Sequence, residues 1–185
     1  MNHSKENILK RIAAAGMPEY AYPDFGYEPQ HFDDPAAMCA QRRRAAGGEA
    51  VWLDGATTLD EVVRRCYPDA KSVASALPEV TLATVNPDRV EDPRELVDID
   101  LGVVSGAFGV AENGAVWIPQ DIRHKALYFG ATALTVVIPR DAPVDTMHEP
   151  VARPEVGAFA PGCFLSATTT PPDLPPPLLS TTPRP

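Results

Sequence analysis

Glu112 is the residue in this chain best placed to do chemistry. It sits in Val110-Ala111-Glu112-Asn113-Gly114-Ala115-Val116-Trp117-Ile118, where Asn-Gly separates two apolar runs. A type I′ turn needs φ > 0 at both central residues, so Asn113-Gly114 predicts a two-residue hairpin loop. That register sets Glu112 opposite Ala115, Ala111 opposite Val116 and Val110 opposite Trp117. Strand alternation then puts Glu112 on one face with Val110 and Trp117. A carboxylate there must be solvated, paired or functional. The functional form is a general base or nucleophile made reactive by burial. The plain alternative is a rim carboxylate in water.

Two other groups invite a chemical reading. Arg123-His124-Lys125 is the densest cationic cluster of this region. Asp121 can cap a helix over 122–129, with Ile122, Ala126 and Phe129 on one face and Gly130 ending it. Cations in a helix's first turn oppose its dipole, so they call for a nearby anion or for side chains pointing into solvent. Ser105-Gly106-Ala107-Phe108-Gly109 has two glycines in five residues, a pattern that makes a tight turn or lets the backbone approach a ligand. Metal chemistry has little support. Cys39, Cys66 and Cys163 are odd in number and widely separated, without ligand spacing, and read as small apolar packing residues. His148 beside Glu149 lacks the i, i+3 or i+4 spacing that puts two ligands on one helix face.

The elements that must position these residues follow from periodicity. Leu101-Gly102-Val103-Val104 and Leu134-Thr135-Val136-Val137-Ile138 are short apolar runs suited to strands buried on both faces. Helix, short loop and apolar strand in succession is the pattern of a parallel sheet covered by helices. Upstream, Ser4–Ala15 predicts a helix with Ile8, Ile12 and Ala15 as its stripe. Residues 17–33 form an irregular connection with several aromatics and prolines. Asp34-Pro35 opens a helix to Ala46 whose last turn carries Arg42, Arg43 and Arg44, which suits its dipole. Ala50–Leu53 is a strand candidate. Thr58-Leu59-Asp60-Glu61 is a capping box for a helix over 59–66. Ser72–Ala76 and Thr81–Val85 are weaker strand candidates, a short helix fits 93–97, a helical turn or two fits 144–149, and 162–166 reads as a last strand.

Composition sets the outer bounds. The chain has 185 residues and a net charge of −9 with pI about 4.8, which argues against nucleic acid and anionic membranes as partners. No apolar run approaches the roughly 20 residues that span a bilayer, and the N-terminus has no signal-peptide core. Cytoplasmic location is the expectation. Of 21 prolines, eight lie in the last 25 residues. Prolines 175 to 177 forbid a helix or a central strand there, so residues 167–185 are expected to be a disordered or polyproline tail.

The central stretch resembles a known family. Residues 97–118 (VDIDLGVVSGAFGVAENGAVWI), residues 123–139 (RHKALYFGATALTVVIP) and the later Met147-His148-Glu149 are similar to the LUD (lactate-utilisation) domain, also found in C-type subunits of the lactate-utilisation system. The likeness runs over roughly residues 60 to 166. It departs at the end, where Asp173-Leu174 is followed by Pro175 and the family's terminal Gly-Ala-His-Gly is absent. The resemblance implies a fold like that of ribose-phosphate isomerase, CoA-transferase and formyltetrahydrofolate cyclo-ligase, with a ligand cleft at the carboxyl ends of the strands. It also implies a role in lactate oxidation beside iron–sulfur partner subunits.

Together these readings predict an α/β protein: a single three-layer domain with a mostly parallel sheet, a β-hairpin at 108–118 and helices on both faces. Residues 1–56 would pack on it as a helical and irregular segment, residues 57–166 would form the LUD-like domain, and the tail would follow. The expected function is a small-molecule-binding subunit of organic-acid (lactate) utilisation, without a cofactor of its own, taking a lactate-like or phosphorylated anion. Glu112 would be its acidic site residue. Ser105, Gly106, Asn113 and Gly114 would supply hydroxyl or backbone donors, and Arg123, His124 and Lys125 would hold the anion. Self-association is compatible with this reading. Two alternatives stand beside it: a stand-alone isomerase, transferase or cyclo-ligase using Glu112, and a non-catalytic assembly protein.

Overall fold

The computed structural model describes residues 3–14, 26, 28–151, 162–165 and 178–182. Most of the irregular segment 17–33 and most of the proline-rich tail, prolines 175 to 177 included, lie outside the described residues.

Two helices precede or flank the first strand, and their boundaries follow from capping chemistry. Helix α1 spans His3–Ala14. Helix α2, Pro35–Ala45, starts where Asp34 Oδ1 accepts the Ala37 N–H at 2.9 Å and Pro35 takes the first helical position. Gly47, with φ +84°, turns the chain out of it. Strand β1 is Glu49–Trp52. Helix α3, Leu59–Cys66, has the expected capping box: Thr58 Oγ1 accepts the Glu61 N–H, and Glu61 Oε2 accepts the Thr58 N–H at 2.8 Å.

The remaining strands build a five-stranded parallel sheet and a small antiparallel one. Strands β2 (Val73–Ser75), β3 (Leu101–Ser105), β6 (Ala133–Pro139) and β8 (Leu178–Thr182) join β1 in the order β1-β8-β6-β3-β2, every pair parallel. Strands β4 (Phe108–Gly109), β5 (Val116–Pro119) and β7 (Gly162–Leu165) pair antiparallel beside it. Helix α4 is Ala126–Gly130 and α5 is His148–Val151.

Side-chain alternation explains the three layers. Val73, Leu101, Val103 and Ala133 pack with Leu59, Val62 and Val63 of α3 on one face of the sheet. Val104, Leu134, Val136 and Ile138 point the other way, onto Cys39 and Ala40 of α2 and Leu127 and Tyr128 of α4. Both faces are therefore covered, which is why β3 and β6 read as continuous apolar runs. A third cluster, Phe108, Val110, Ala115, Trp117 and Val144, fills the space behind the small sheet. Among the described residues no helix is long and apolar enough to cross a membrane.

Three expectations need adjustment. Thr81–Val85 makes one parallel bridge, Ala74 to Val85, rather than a strand. The segment at 93–97 is a 3-10 turn, Pro93–Leu96. The tail returns to the sheet: Leu178–Thr182 is a strand between β1 and β6, in register Val51↔Ser180 and Val136↔Leu179. Those five residues lie between Pro177 and Pro183 and contain no proline, so every backbone N–H can join the ladder.

Candidate functional site

Because the main sheet is all parallel, the carboxyl ends of its strands share one edge, where open α/β sheets place their ligands. A cleft of about 480 Å³ opens there, at the end of β2. Ser75, Thr84, Asn86 and Arg89 give it its polar wall, and Ala76, Leu77 and Pro78 line its floor. The Ser75 hydroxyl donates to the Val103 carbonyl at 2.8 Å and accepts the Leu77 N–H at 3.1 Å, which folds the chain sharply after the strand. Thr84 Oγ1 accepts the Val73 N–H at 2.9 Å and so covers the outer edge of β2. Asn86 Oδ1 accepts the Asp88 N–H at 2.9 Å and starts the 3-10 turn Pro87–Arg89. That turn presents the Arg89 guanidinium, the single charged side chain among the cleft's described lining residues. One guanidinium among neutral hydroxyl and amide groups suits a small anion.

The expected site residues fall in three places. Arg123 and His124 stand behind the cleft wall. The Arg123 N–H donates to Asp88 Oδ1 at 3.0 Å, its Nη1 reaches the Val90 carbonyl at 3.4 Å, and His124 Nε2 lies 3.1 Å from the same oxygen. They fix the segment that carries Asn86 and Arg89. The expected helix over 122–129 begins four residues later, at Ala126, with Lys125 at its N-cap. Arg123 and His124 therefore precede the helix rather than occupy its first turn. Asp121 is exposed overall, with its carboxylate turned toward Tyr128, and it does not cap the helix. Loss of hydration, with the Asp88 carboxylate nearby as a lesser cause, raises its pKa. The Tyr128 hydroxyl donates to the Pro119 carbonyl at 3.2 Å.

Glu112, Asn113 and Gly114 lie at a second place. The hairpin pairs Phe108 with Trp117 and Gly109 with Val116, and the Val110 N–H reaches the Ala115 carbonyl. This differs by two residues from the register of a two-residue loop. Only Gly114 takes a positive φ, +71°, while the Asn113 side chain accepts the Ala115 N–H at 2.9 Å. An Asx-type turn satisfies Asn113 without the left-handed backbone that a type I′ turn demands. Glu112 thus sits in the loop, not on a strand face with Trp117. Its Oε2 accepts the Met147 N–H at 3.0 Å and its own N–H donates to the Asp145 carbonyl. Glu149 Oε1 accepts the N–H groups of Asp145 and Thr146. Asp145 in turn meets His31 Nδ1 and the Phe32 N–H. Gly114 packs on α2: a Cβ there would come 2.9 Å from the Arg43 nitrogen.

Ser105 and Gly106 occupy the third place, the carboxyl end of β3. Ser105 is half-buried beside Val137. The Gly106 N–H donates to the Val137 carbonyl at 2.8 Å, and a Cβ would lie within 2.9 Å of Ile138, Val136 and Val116. Gly106 is a packing glycine. The N–H groups of Gly106 and Gly114 are thus bonded within the chain. Among the described residues no three His, Cys, Asp or Glu side chains are grouped to hold a metal ion.

No family model matches the sequence, and no curated protein does. A solved structure does match: a DUF162 family protein from Deinococcus radiodurans, at TM-score 0.65 and 18% identity over 83% of this chain and 98% of that one. The fold is that of a DUF162 protein. DUF162 is the LUD-domain family, so the structural likeness agrees with the resemblance carried by residues 97–139. It concerns the fold, and the polar cleft at β2 is this chain's own geometry. Sequence reasoning missed Ser75, Asn86 and Arg89. The available signal was the Asn86-Pro87-Asp88 turn following a weak strand, a combination that marks turn initiation.

Proposed function

We propose that this chain is a LUD-type small-molecule-binding protein that takes a small organic anion, a carboxylate or a phosphorylated acid, in the cleft at the end of β2. The observation that supports it most is the cleft's chemistry: one guanidinium, Arg89, among hydroxyl, amide and backbone groups. The described lining residues include no carboxylate, imidazole or thiol to act as a base or nucleophile. That composition favours a binding subunit over a stand-alone isomerase or ligase. In this reading a lactate-like acid is held here by Arg89 and presented to iron–sulfur partner subunits, which would supply the redox group and the proton acceptor for its oxidation. Arg123 and His124 act through the wall they hold, and Glu112 acts as a brace.

The test is a binding measurement by calorimetry with lactate, pyruvate and phosphorylated sugars, on the wild-type chain and on Arg89→Ala. A hydrogen bond to a charged group contributes about 1.5–3 kcal/mol, so the substitution should weaken the anion that binds by roughly 10- to 100-fold. Arg89 is exposed, so the melting temperature without ligand should not move. An anion that binds equally well to Arg89→Ala would overturn the assignment of the cleft. Failure of every anion in the panel to bind would overturn the ligand class.

A further inference from the structure

The described side chains of helix α1 are exposed, its apolar residues included. Ile8, Leu9 and Ile12 are 55%, 54% and 65% exposed. They lie on one face, at spacings of one, three and four residues. Isolated helices of about 12 residues are marginal in water even with favourable sequences, because nucleation is unfavourable and each turn adds little. An apolar stripe on a helix of this length becomes stable when another surface covers it. The helix is also basic in an acidic protein: Lys5, Lys10 and Arg11 stand against Glu6, while the whole chain carries −9.

A second exposed apolar pair lies on the domain. Val97 is 49% and Phe129 69% exposed. Phe129 directly precedes Gly130, and Gly130 packs on Val97: a Cβ on Gly130 would be 3.0 Å from the Val97 Cα. The segment leading to Val97 is acidic. Glu91, Asp92, Glu95 and Asp98 are all exposed, and the one cation among them, Arg94, is paired with Asp92 at 3.5 Å. The two surfaces match in both respects. Each has large apolar side chains in water; α1 is flanked by cations and the segment leading to Val97 by carboxylates, with Lys125, one turn before Phe129, the cation on the α4 side.

We propose that α1 of one copy docks its Ile8-Leu9-Ile12 face on the Val97–Phe129 patch of a second copy, and that the exchange is reciprocal. A two-fold dimer of this kind uses the pair of surfaces twice, which doubles the apolar area covered. Lys5, Lys10 and Arg11 then face the 91–98 acidic segment of the partner, so association weakens as salt rises. The proposal does not depend on what the cleft binds.

Light scattering coupled to size exclusion tests it on the full chain. The wild type is expected to be a dimer at tens of micromolar, and Ile8→Glu/Ile12→Glu and Phe129→Glu are expected to be monomers with unchanged circular dichroism. Raising salt should shift the wild type toward monomer. Mixing Ile12→Cys with Phe129→Cys under mild oxidation should give a disulfide between the two chains, identified by peptide mapping. A monomeric wild type would overturn the proposal, as would a dimer that survives both charge substitutions. It would equally be overturned if a chain carrying both cysteines joined them only within itself, since α1 would then cover its own domain.

Discussion

Replacing Glu112 separates a structural brace from a catalytic base. Its Oε2 accepts the Met147 N–H at 3.0 Å, and its neighbours Asp145 and Thr146 are held by Glu149. Glu112→Ala leaves a part-buried N–H without its carboxylate. A bond to a charged acceptor is worth about 1.5–3 kcal/mol, and the half-buried position sets the expected loss near the low end, about 1.5 kcal/mol. In a domain of this size about 1 kcal/mol moves Tm by roughly 2–4 °C, so Glu112→Ala should melt about 3–6 °C lower. Glu112→Gln keeps an oxygen for the same N–H and should lose less than half of that. Differential scanning calorimetry reads the stability, and calorimetric titration with the anion found for the cleft reads the binding. The brace reading requires Tm to fall in the order wild type, Gln, Ala, with affinity unchanged in all three. A Glu112→Gln chain that melts like wild type but no longer binds or turns over ligand would refute it and restore Glu112 as a site carboxylate.

Gly106→Ala should destabilise the domain by about 1–3 kcal/mol, measured by urea denaturation, because its Cβ would press on Ile138, Val136 and Val116, which have no room to withdraw. The Cys39 thiol, whose pKa burial pushes up to about 11 against the smaller effects of the Val110 backbone hydrogen bond and Arg43, should resist alkylation at pH 8 until the protein unfolds, while the less buried Cys66 and Cys163 react first. Asp100 accepts N–H bonds from Ser72 and Lys71 at 2.9 and 2.8 Å, which lower its pKa below the usual 3.8. The unfolded chain then binds the proton more readily, so this group's stabilisation is complete above the usual value and disappears as pH falls through the lowered one. Asp100→Asn should flatten the acid limb of the urea midpoint measured against pH, and an unchanged limb would remove Asp100 from the account.

Much of the architecture is legible because it rests on local rules. The Thr58–Glu61 capping box fixes the start of α3, and the apolar runs at 101–105 and 133–139 mark the two-sided sheet that α2, α3 and α4 cover. The hairpin exists where Asn-Gly places it, but its register follows from an alternative that the dipeptide also allows, an Asx turn with one left-handed residue. The helix after Asp121 starts late because Arg123 and His124 bond Asp88 and Val90 on a segment more than thirty residues away in sequence. Periodicity counts neighbours along the chain and cannot register a partner at that separation. The same limit hides the partner of Glu112: the Met147 N–H it accepts is a backbone group that every residue except proline carries, so no residue type marks it.

The tail shows how one residue type can conceal an element. Proline density around 171–177 argues against regular structure there, and those prolines lie outside the described residues. A strand of typical length is about five residues, and Leu178-Leu179-Ser180-Thr181-Thr182 supplies five with free N–H groups between two prolines. The position of that strand matters for the cleft. Strand β1 has β8 as its only paired neighbour among the described strands, and β8 joins it to β6 and so to β3 and β2. The parallel edge that holds Trp52, Ser105 and Arg140 alongside Ser75 is continuous only through those five residues. Arg140, at the end of β6, reaches across β8 to lie over the Trp52 ring at 4.9 Å, a cation–π contact that ties the two flanking strands at their carboxyl ends. The carboxyl edge is therefore tied in two independent ways on the side far from the cleft. On the cleft side it depends on Thr84, Asp88 and the pair Arg123 and His124. The wall that carries Arg89 is joined to the sheet by a single bridge, Ala74 to Val85, and otherwise held by isolated hydrogen bonds, and so it is the part of this edge best able to adjust around a ligand.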